Sequence, residues 1–522
     1  MSTGLEKPAL RAEDAVVRIP DGATVAIGGS GSGHCIPDVM LAALGRRFAE
    51  TRHPNHLTLV HAFGVGDQKT RGLQHLAHAG MFRRVVGGHW SMAPAMGKLA
   101  AANDFEAYNV PAGVVVQLFH AAAAGSPGWI THVGLDTFMD PRLEGGKLNA
   151  RAQQDIVELM ERNGEEFLFY PAIPIDVALI QGSVADTRGN IGMRREAGFW
   201  HNCVMAQAAR ASGGITIAVV KERVELGDIH PQDVRVPGCL VDCVVVDPLA
   251  GQTFQTHYEP AYSGDALKPD EDFGEFPLDV RKVIARRAAL ELEPGAVLNV
   301  GFGIPDGVMK VAREQGIAGT LVPTIEHGQF GGIPAEGLDF GATYNAEAIL
   351  ETGHMFNYYQ GRGVDQAYLG FLQIDRQGNV NVSKLADSII GTGGFIDISQ
   401  KARKVVFCGT LAVRAQSELA DGTVRFVRQG APKLVEAVNQ VTFSGRYARG
   451  HGQEVLYVTE AAVFRLTAEG VRLEEVAPGI DLERDLFPQL GFRPALAQPV
   501  RTMAAELFSE DLLPRGLFRS YA

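Results

Sequence analysis

One glutamate of this sequence stands where a carboxylate can do chemistry. Glu326 ends a short apolar run, residues 321–325, and is followed by glycines at 328, 331, 332, 337 and 341. Because glycine has no Cβ, such a loop lets a ligand or another backbone segment approach the carboxylate closely. An ionised carboxylate can also attack a carbonyl carbon without the help of a base. Four roles remain open on these residues alone: solvated loop residue, ligand, general base and nucleophile.

A nucleophilic carboxylate needs surroundings that only other parts of the chain can provide. Attack on an acyl thioester would give an anhydride, which requires hydrogen-bond donors for the oxyanion and protection from water. A second glycine-rich run, residues 390–397, contains Gly393 and Gly394 and is a source of backbone N–H donors. The elements that carry these two loops must therefore bring them together.

The motifs of several other enzyme classes are absent from the sequence or have the wrong residue spacing. A dinucleotide loop needs Gly-x-Gly-x-x-Gly, but His34 or Ile36 stands at the third glycine position of the run 28–33, and Asp306 does so after Gly301-Phe-Gly303. Ordinary tight turns are the alternative explanation of these glycines. The sequence contains no Walker loop, no Gly-x-Ser-x-Gly elbow and no His-Glu-x-x-His motif. We therefore expect no metal site and no bound cofactor.

Composition sets wider limits. With 522 residues, 46% hydrophobic and 21% charged, the chain has enough material for two to four domains. The net charge of −12 argues against a nucleic-acid partner, which would require a basic face. The sequence predicts neither a signal peptide nor a membrane span, and hence a cytoplasmic protein. Cys239 and Cys243 lack further ligands for zinc, so we expect buried thiols in a reducing compartment.

Two internal similarities predict two related α/β halves. Residues 19–38 and 292–306 both contain a turn, an apolar strand, a glycine loop and a Pro-Asp pair that opens a helix, with the proline in its first turn. Residues 181–191 and 372–380 share a strand, an Asp-x-x-Gly-Asn turn and a second strand. Chance similarity of glycine turns is the alternative. A polar, proline-bearing stretch predicts a first domain at 1–275, with a linker from about 250, and a second at 276–522.

Several motifs in order resemble the family I coenzyme A transferases, in particular the single-chain propionate or acetate CoA-transferases and the acyl-CoA:acetate/3-ketoacid CoA-transferases. The resemblance extends from about residue 10 to 500. It is carried by residues 131–142, 145–149, 301–305, 326–341, 378–384, 391–397 and 404–411.

The resemblance implies a fold, a reaction and a set of residues. The fold would be α/β: two similar open α/β domains with mainly parallel sheets and the site between them. Glu326 would be the nucleophile of a ping-pong cycle through an acyl-glutamyl anhydride and a glutamyl-CoA thioester. Coenzyme A would be a substrate, and the protein a homodimer or homotetramer. The implied site residues are Gly393, Gly394, Asn379, Asn381, Gly331 and Gly332 for oxyanion and CoA binding, and Gly31, Gly33, Gln117 and Gly303 for the acyl pocket.

The chain departs from the family pattern at two positions. Ala112 stands where relatives often carry a glutamine, whose role would be vacant or would pass to Gln117. His327 replaces a small residue beside the nucleophile, where it would tune the carboxylate or simply pack. Two other functions remain: an acyl-CoA hydrolase on the same scaffold, and a non-catalytic regulatory protein that binds acyl-CoA or a sugar phosphate. The presence of Glu326 argues against the second of these.

Overall fold

The first half of the chain alternates short strands with helices. The computed structural model describes residues 6–386, 388–414, 416–420 and 422–521. The strands of the first half are β1 Ala9–Leu10, β2 Thr24–Ile27, β3 Leu57–His61, β4 Phe82–Gly87, β5 Glu106–Asn109, β6 Gly128–Thr131, β7 Glu158–Arg162, β8 Glu165–Pro171, β9 Val177–Asp186, β10 Ile191–Gly192, β11 Ile215–Val224, β12 Val234–Val236 and β13 Cys243–Val246. Its helices are α1 Ala12–Ala15, α2 Asp38–Thr51, α3 Pro94–Ala101, α4 Ala112–Ala123, α5 Asn202–Ala211 and α6 Pro260–Ser263.

The second half has the same alternation and ends in a larger set of β-strands. Its strands are β14 Val297–Val300, β15 Val322–Ile325, β16 Gln329–Phe330, β17 Ile333–Pro334, β18 Thr343–Tyr344, β19 Ala348–Ile349, β20 Gln366–Gly370, β21 Gln373–Asp375, β22 Val380–Asn381, β23 Lys384–Leu385, β24 Ser388–Ile389, β25 Lys404–Cys408, β26 Ala412–Val413, β27 Gln416–Ala420, β28 Thr423–Arg428, β29 Ala431–Pro432, β30 Leu434–Val435, β31 Glu454–Val458, β32 Ala462–Thr467, β33 Gly470–Val476 and β34 Ala495–Thr502. Its helices are α7 Val280–Ala289, α8 Gly307–Glu314, α9 Thr352–Gln360, α10 Phe395–Ser399 and α11 Gly445–Gly450.

The two main sheets share one central arrangement. The first sheet has the order β1-β13-β11-β9-β2-β3-β4-β5, and the second has β19-β16-β15-β14-β20-β25-β31-β32-β33-β34. The five strands β13-β11-β9-β2-β3 pair in parallel throughout, and β31-β25-β20-β14-β15 repeat that order and direction. The prediction of two similar α/β halves with mainly parallel sheets is therefore confirmed.

The second internal similarity is also a structural one. Asp186 accepts the Asn190 backbone N–H at 3.0 Å and its side-chain amide at 2.7 Å. Asp375 holds Asn379 in the same way, at 3.0 Å for both contacts. In each half the asparagine Oδ1 then accepts a backbone N–H from a distant segment, Gly238 at 2.8 Å in the first half and Gly445 at 2.9 Å in the second. These Asp-x-x-Gly-Asn turns are structural devices that each half uses at the same place in its fold.

The burial of the central strands follows from their apolar composition. β25 is buried along its whole length, and β11 is buried over the run 216–220. Near-continuous apolar runs of this kind suit parallel strands with both faces covered. Near residue 460, β31, β32 and β33 pair antiparallel in sequence order, next to the edge strand β34 of the second sheet. After the linker the chain forms α7, whose first turn is capped by the Asp279 side chain.

Two local expectations were wrong. Cys239 is exposed, because it lies in the 3₁₀ turn Gly238–Leu240 and β13 begins only at Cys243. Cys243 is buried as expected; Cys35 and Cys408 are also buried, and Cys203 is half-buried. The prolines of the two Pro-Asp pairs precede their helices, since α2 begins at Asp38 and α8 at Gly307. No helix in the described ranges combines the length and the apolar character that a membrane span needs.

Candidate active site

Glu326 lies at the carboxyl end of β15, where the strand leaves the second sheet. β15 pairs in parallel with β14 on one side and antiparallel with β16 on the other. The Thr324 hydroxyl also donates a hydrogen bond to the Leu298 carbonyl at 2.9 Å, two residues before the carboxylate. The sheet therefore fixes the backbone of Glu326, while its side chain keeps 20% of its surface exposed and can be reached by a ligand.

The carboxylate opens into a cavity of about 380 Å³, large enough for a small ligand. Aliphatic and aromatic side chains form most of its wall, with Phe302, Phe340, Phe371 and Phe395 as the aromatic members. His89 comes to this wall from the first half of the chain, whereas Glu326 comes from the second. The cavity therefore lies between the halves and provides an apolar surrounding for chemistry that water would disturb.

Backbone hydrogen bonds fasten the glycine loop 390–394 to the first half. The N–H groups of Thr392 and Gly393 both donate to the Gly88 carbonyl, at 3.0 and 2.9 Å. The Ala112 N–H donates to the Gly393 carbonyl at 2.8 Å. Asn109 joins both sides, because its amide donates to the Gly88 carbonyl at 2.7 Å and its Oδ1 accepts the Thr392 N–H at 3.1 Å. This loop is therefore held against the cavity from outside its own domain.

These hydrogen bonds give different roles to Gly393 and Gly394, which were expected to act together. The Gly393 N–H is used by the Gly88 carbonyl, so it is not free to bind an oxyanion. The Gly394 backbone lies against the Glu326 carboxylate, and its N–H lowers the pKa of that group. A Cβ at position 394 would collide with Glu326 Oε2, whereas one at 393 would lie 3.7 Å from Oε1. The loop therefore directs one N–H at the carboxylate, and Gly394 must be glycine to do so.

The electrostatic setting of Glu326 favours its neutral form. Burial, followed by the nearby Asp397 carboxylate, raises the pKa of Glu326 to about 8. Burial likewise raises the pKa of Asp397 to about 7, although its oxygens accept hydrogen bonds from the Gly113 N–H at 3.1 Å and the Gln360 amide at 2.9 Å. The Asp397 carboxylate thus makes ionisation of Glu326 more costly.

The residue after Glu326 in the sequence connects the two halves. His327 Nε2 lies 2.7 Å from the Ser30 hydroxyl and 3.9 Å from Glu326 Oε1. Its Nδ1 lies 3.3 Å from the Gly341 carbonyl, and the Phe63 ring meets the imidazole edge-on at 4.8 Å between centroids. Burial lowers the pKa of His327 to about 3, so the imidazole is neutral at physiological pH. His327 therefore packs against Phe63 and forms a hydrogen bond with Ser30 of the other half.

Several predicted residues lie elsewhere, held by contacts of their own. Asn379 belongs to the turn described above, and the Asn381 amide donates to Gln373 Oε1 and the Lys384 carbonyl, at 2.8 and 2.7 Å. Gln117 donates to Asn357 Oδ1 on α9 at 2.7 Å. Their hydrogen-bonding groups are engaged away from the cavity wall, so Gln117 does not take the place of the glutamine missing at Ala112.

The predicted glycines differ in how close they come to the site. Gly303 follows the lining residue Phe302 and has open space where a Cβ would be. A Cβ on Gly31 would lie 3.5 Å from the carbonyl of Phe340 in the cavity wall. Gly33 packs against Phe254, and Gly331 and Gly332 pack against Glu347 and Tyr344 in the turn between β16 and β17. Among the described residues lining the cavity, the predicted members are Glu326, Gly393 and Gly394.

Sequence reasoning missed residues that come from distant parts of the chain. Asp397 was visible at the end of the second glycine run but carried no sign of its partner Gly113. Ser30 lies within the first glycine run, and nothing local indicates its contact with His327. His89 has no signal in the sequence. Among the described residues, no three His, Cys, Asp or Glu side chains are grouped so as to hold a metal ion.

Comparison with known proteins gives matches along the whole chain. Residues 9–247 match the family model described as coenzyme A transferase. A caffeate CoA-transferase from Acetobacterium woodii is 43% identical, over 96% of this chain and 97% of its own length. The acetate CoA-transferase YdiF from Escherichia coli K12 is 40% identical, over 96% of this chain and 95% of its own.

Solved structures agree with these sequence matches. The apoenzyme of the acyl-CoA transferase YdiF from Escherichia coli O157:H7 superposes with a TM-score of 0.93, at 39% identity and 98% coverage of both chains. A thioester complex of that enzyme with CoA gives a TM-score of 0.92, covering 98% of this chain and 97% of the other. The citrate lyase alpha subunit of Streptococcus mutans, at 15% identity and a TM-score of 0.53, shares the fold.

Proposed function

This chain belongs to the coenzyme A transferase family, and we propose that it transfers coenzyme A from an acyl-CoA to a carboxylic acid through covalent intermediates on Glu326. The observation that carries the proposal is the position of Glu326. It is the one carboxylate on the described wall of an apolar cavity between the two halves, with the Gly394 N–H directed at it. An acyl thioester in that cavity would meet a nucleophile and an oxyanion donor together.

The proposed reaction balances without ATP or added protons. A Glu326 oxygen attacks the thioester carbonyl carbon, the C–O bond forms, the C–S bond breaks, and CoA leaves as thiolate. The thiolate then attacks the Glu326 carbonyl carbon of the resulting anhydride, which forms a glutamyl-CoA thioester and releases the first carboxylate. The same two steps in reverse, with the acceptor acid, give the new acyl-CoA. One thioester is conserved throughout.

The cavity supports this sequence of steps in two ways. Its aliphatic and aromatic wall limits the access of water to an anhydride that water would otherwise hydrolyse. The fastened loop 390–394 keeps the Gly394 N–H in place before the reaction begins, so little reorganisation is needed when charge develops. We infer that the donor carries a short acyl group. The relatives named for acetate and caffeate suggest a small and a large acyl group as the two ends of the range to be tested.

Mass spectrometry tests the proposal directly. The full-length enzyme is incubated with acetyl-, propionyl-, butyryl- and caffeoyl-CoA, with and without borohydride, and then digested. We expect a CoA-sized adduct on the peptide that contains Glu326, sensitive to borohydride and absent from Glu326→Ala. Glu336→Ala is the matched control, because this carboxylate lies in the same loop but is exposed and paired with Lys310. Transfer activity without any adduct on Glu326 would contradict the covalent route.

A further inference from the structure

The proposed reaction brings a second carboxylate to Glu326. The acceptor acid is an anion at physiological pH, whereas Glu326 carries no charge once it has become a thioester. An anion that enters an apolar cavity needs a hydrogen-bond donor to replace the water it loses. Of the described residues that line the cavity, only Glu326 and His89 have ionisable side chains. His89 therefore has the chemistry that the acid requires.

The other hydrogen-bonding side chains of the described wall are occupied. The Asn299 amide donates to the Thr324 carbonyl at 3.2 Å and lies 3.0 Å from the Tyr359 hydroxyl. The Thr392 hydroxyl donates to the Gly393 carbonyl at 3.1 Å. These two side chains stabilise the walls of the cavity and leave the imidazole to meet a ligand.

The His89 ring turns one edge towards the site of the proposed reaction. A Cβ built on Gly393 would lie 3.9 Å from His89 Cδ2 and 3.7 Å from Glu326 Oε1, so the two side chains flank the same point of the glycine loop. The opposite edge packs against Gly64, where a built Cβ would lie 2.8 Å from Nδ1. Nε2, which is bonded to Cδ2, is therefore the ring nitrogen on the cavity side.

The hydrogen-bonding capacity of this nitrogen is largely unused. Its polar contact within the described part of the chain is with Ser91 Oγ at 3.5 Å, beyond the usual range of a hydrogen bond. A hydroxyl rotates and donates as well as accepts, so Ser91 does not have to take the imidazole hydrogen. Burial lowers the pKa of His89 to about 4, so the imidazole is a neutral donor. A fixed cation here would stabilise the anions before they react, which lowers reactivity.

Backbone contacts hold His89 in this place. His89 and Gly391 form an antiparallel bridge between the two halves. The N–H groups of Trp90 and Ser91 both donate to the Ile390 carbonyl, at 2.7 and 3.1 Å. The imidazole and the glycine loop are thus positioned by one set of hydrogen bonds, and a donor fixed in advance loses little freedom when a ligand binds.

We propose that His89 binds the carboxylate of the acid substrate, with its Nε2–H donating to the oxygen that does not attack Glu326. The proposal rests on the proposed function, because an acid is a substrate only if the enzyme transfers CoA to a carboxylate. The same contact receives the carboxylate that the acyl-CoA donor releases, since both acids occupy this place in turn. His89 is therefore a binding residue for the acid and not for CoA.

Equilibrium binding tests the proposal without the covalent chemistry. Glu326→Gln has an uncharged carboxamide where the glutamyl-CoA form has an uncharged thioester, and it leaves bound acids unreacted. In this full-length background, acetate, propionate, butyrate and caffeate are titrated by ligand-observed NMR. CoA and the primary amide of the tightest-binding acid, which keeps its shape without its charge, are titrated in the same way.

Paired substitutions in the same background separate donation from packing. His89→Phe and His89→Leu have no donor, whereas His89→Gln restores an N–H near the position of Nε2. The matched control is His78→Phe. This variant also loses a half-buried histidine, which packs against Phe48 at 5.8 Å between ring centroids and lies outside the described wall of the cavity.

We expect Kd for the tightest-binding acid to rise about tenfold or more in His89→Phe and His89→Leu, as for the loss of a hydrogen bond to a charged group. His89→Gln should recover most of this loss. Kd for CoA and for the amide should change less than about threefold, and His78→Phe should resemble the background.

Other results would overturn the proposal. They are an unchanged Kd for the acid in both donorless variants, a His89→Gln variant as weak as His89→Phe, an equal rise for CoA or the amide, an equal rise in His78→Phe, or no binding of any acid to the background. The two claims fail separately. If the wild type forms the adduct on Glu326 but acid binding does not depend on His89, only the role of His89 falls. If acids bind through His89 but the wild type forms no adduct, only the covalent route falls.

Discussion

At the scale of single residues, the reactivity of Glu326 depends on how much of it is ionised. Burial raises its pKa to about 8, and the charge of Asp397 adds to the effect. A raised pKa means that the carboxyl group is protonated, and hence not nucleophilic, over the range below that value. A substrate that excludes more water would raise the cost of the charge further, and the Gly394 N–H opposes this. The ionised fraction of Glu326 is thus a weakly stabilised and reactive anion.

This setting predicts a pH dependence with a definite sign. As pH falls from about 9 to about 6, the ionised fraction of Glu326 decreases, so kcat/KM for the acyl-CoA should fall towards acid with an apparent pKa of about 8. Asp397→Asn removes a neighbouring negative charge and should move the profile to lower pH. The measurement is the position of the profile, because its plateau also reports structural damage from the lost Gly113 and Gln360 contacts. A profile that stays in place in Asp397→Asn would show that the two carboxyl groups do not interact.

Single residues also show what sequence can and cannot give. Glu326 could be found because its setting is local: an apolar run before it and glycines after it. The hydrogen bond of the Gly393 N–H could not be found from the sequence, because its acceptor, the Gly88 carbonyl, lies in another domain. Asn379 was assigned to the site by resemblance, although its Asp-x-x-Gly-Asn turn already gave a complete structural reason for it. A residue with such a local explanation needs independent support before it is given a catalytic role.

At the scale of elements, the strand end β15 and the glycine loop 390–394 are fixed by different neighbours. β15 is held by its own sheet, whereas the loop is held by the first half through Gly88, Asn109 and Ala112. Strands of this kind were predictable from their apolar runs, because burial on both faces shows in the composition. The approach of the loop to Glu326 was not predictable from the sequence, since it depends on backbone hydrogen bonds that any sequence can make.

Adding one methyl group at position 394 tests how closely the glycine loop approaches Glu326. Gly394 has φ −87° and ψ 9°, which alanine adopts without strain, yet its Cβ would collide with Glu326 Oε2. We expect Gly394→Ala to fold and to lose at least about 100-fold in the rate of adduct formation, because the carboxylate is displaced from its N–H donor. Gly450→Ala is the control, as no atom lies within 4 Å of its built Cβ. Wild-type rates in Gly394→Ala would mean that the carboxylate does not depend on this contact.

At the scale of the whole molecule, two similar halves have unequal roles. In the first half Val60 pairs with Ala26, and in the second Thr324 pairs with Asn299. Because Ala26 and Asn299 both stand two residues before the glycine after their strand, Ala62 is the counterpart of Glu326. The second half provides Glu326, the proposed nucleophile, while the first holds the glycine loop through hydrogen bonds and contributes Ser30 and His89. Neither half contains the complete site.

The shared site predicts that the halves stay together without a covalent link. Val115 and Phe356, from different halves, belong to one continuous buried cluster, and Asp397 accepts the Gly113 N–H across the boundary. Around Gly274 the linker is largely exposed, and a built Cβ there meets no atom within 4 Å. A specific protease site inserted at Gly274 should therefore be cut readily, since exposed loops are the usual sites of nicking.

After this cut we expect the two fragments to co-elute in gel filtration and to keep most of the transfer activity of the uncut enzyme. The physical reason is that the contacts between the halves are buried and numerous, whereas a linker contributes mainly effective concentration. The same insertion left uncut serves as the control. Fragments that separate, with loss of adduct formation on Glu326, would show that the linker rather than the buried boundary holds the site together.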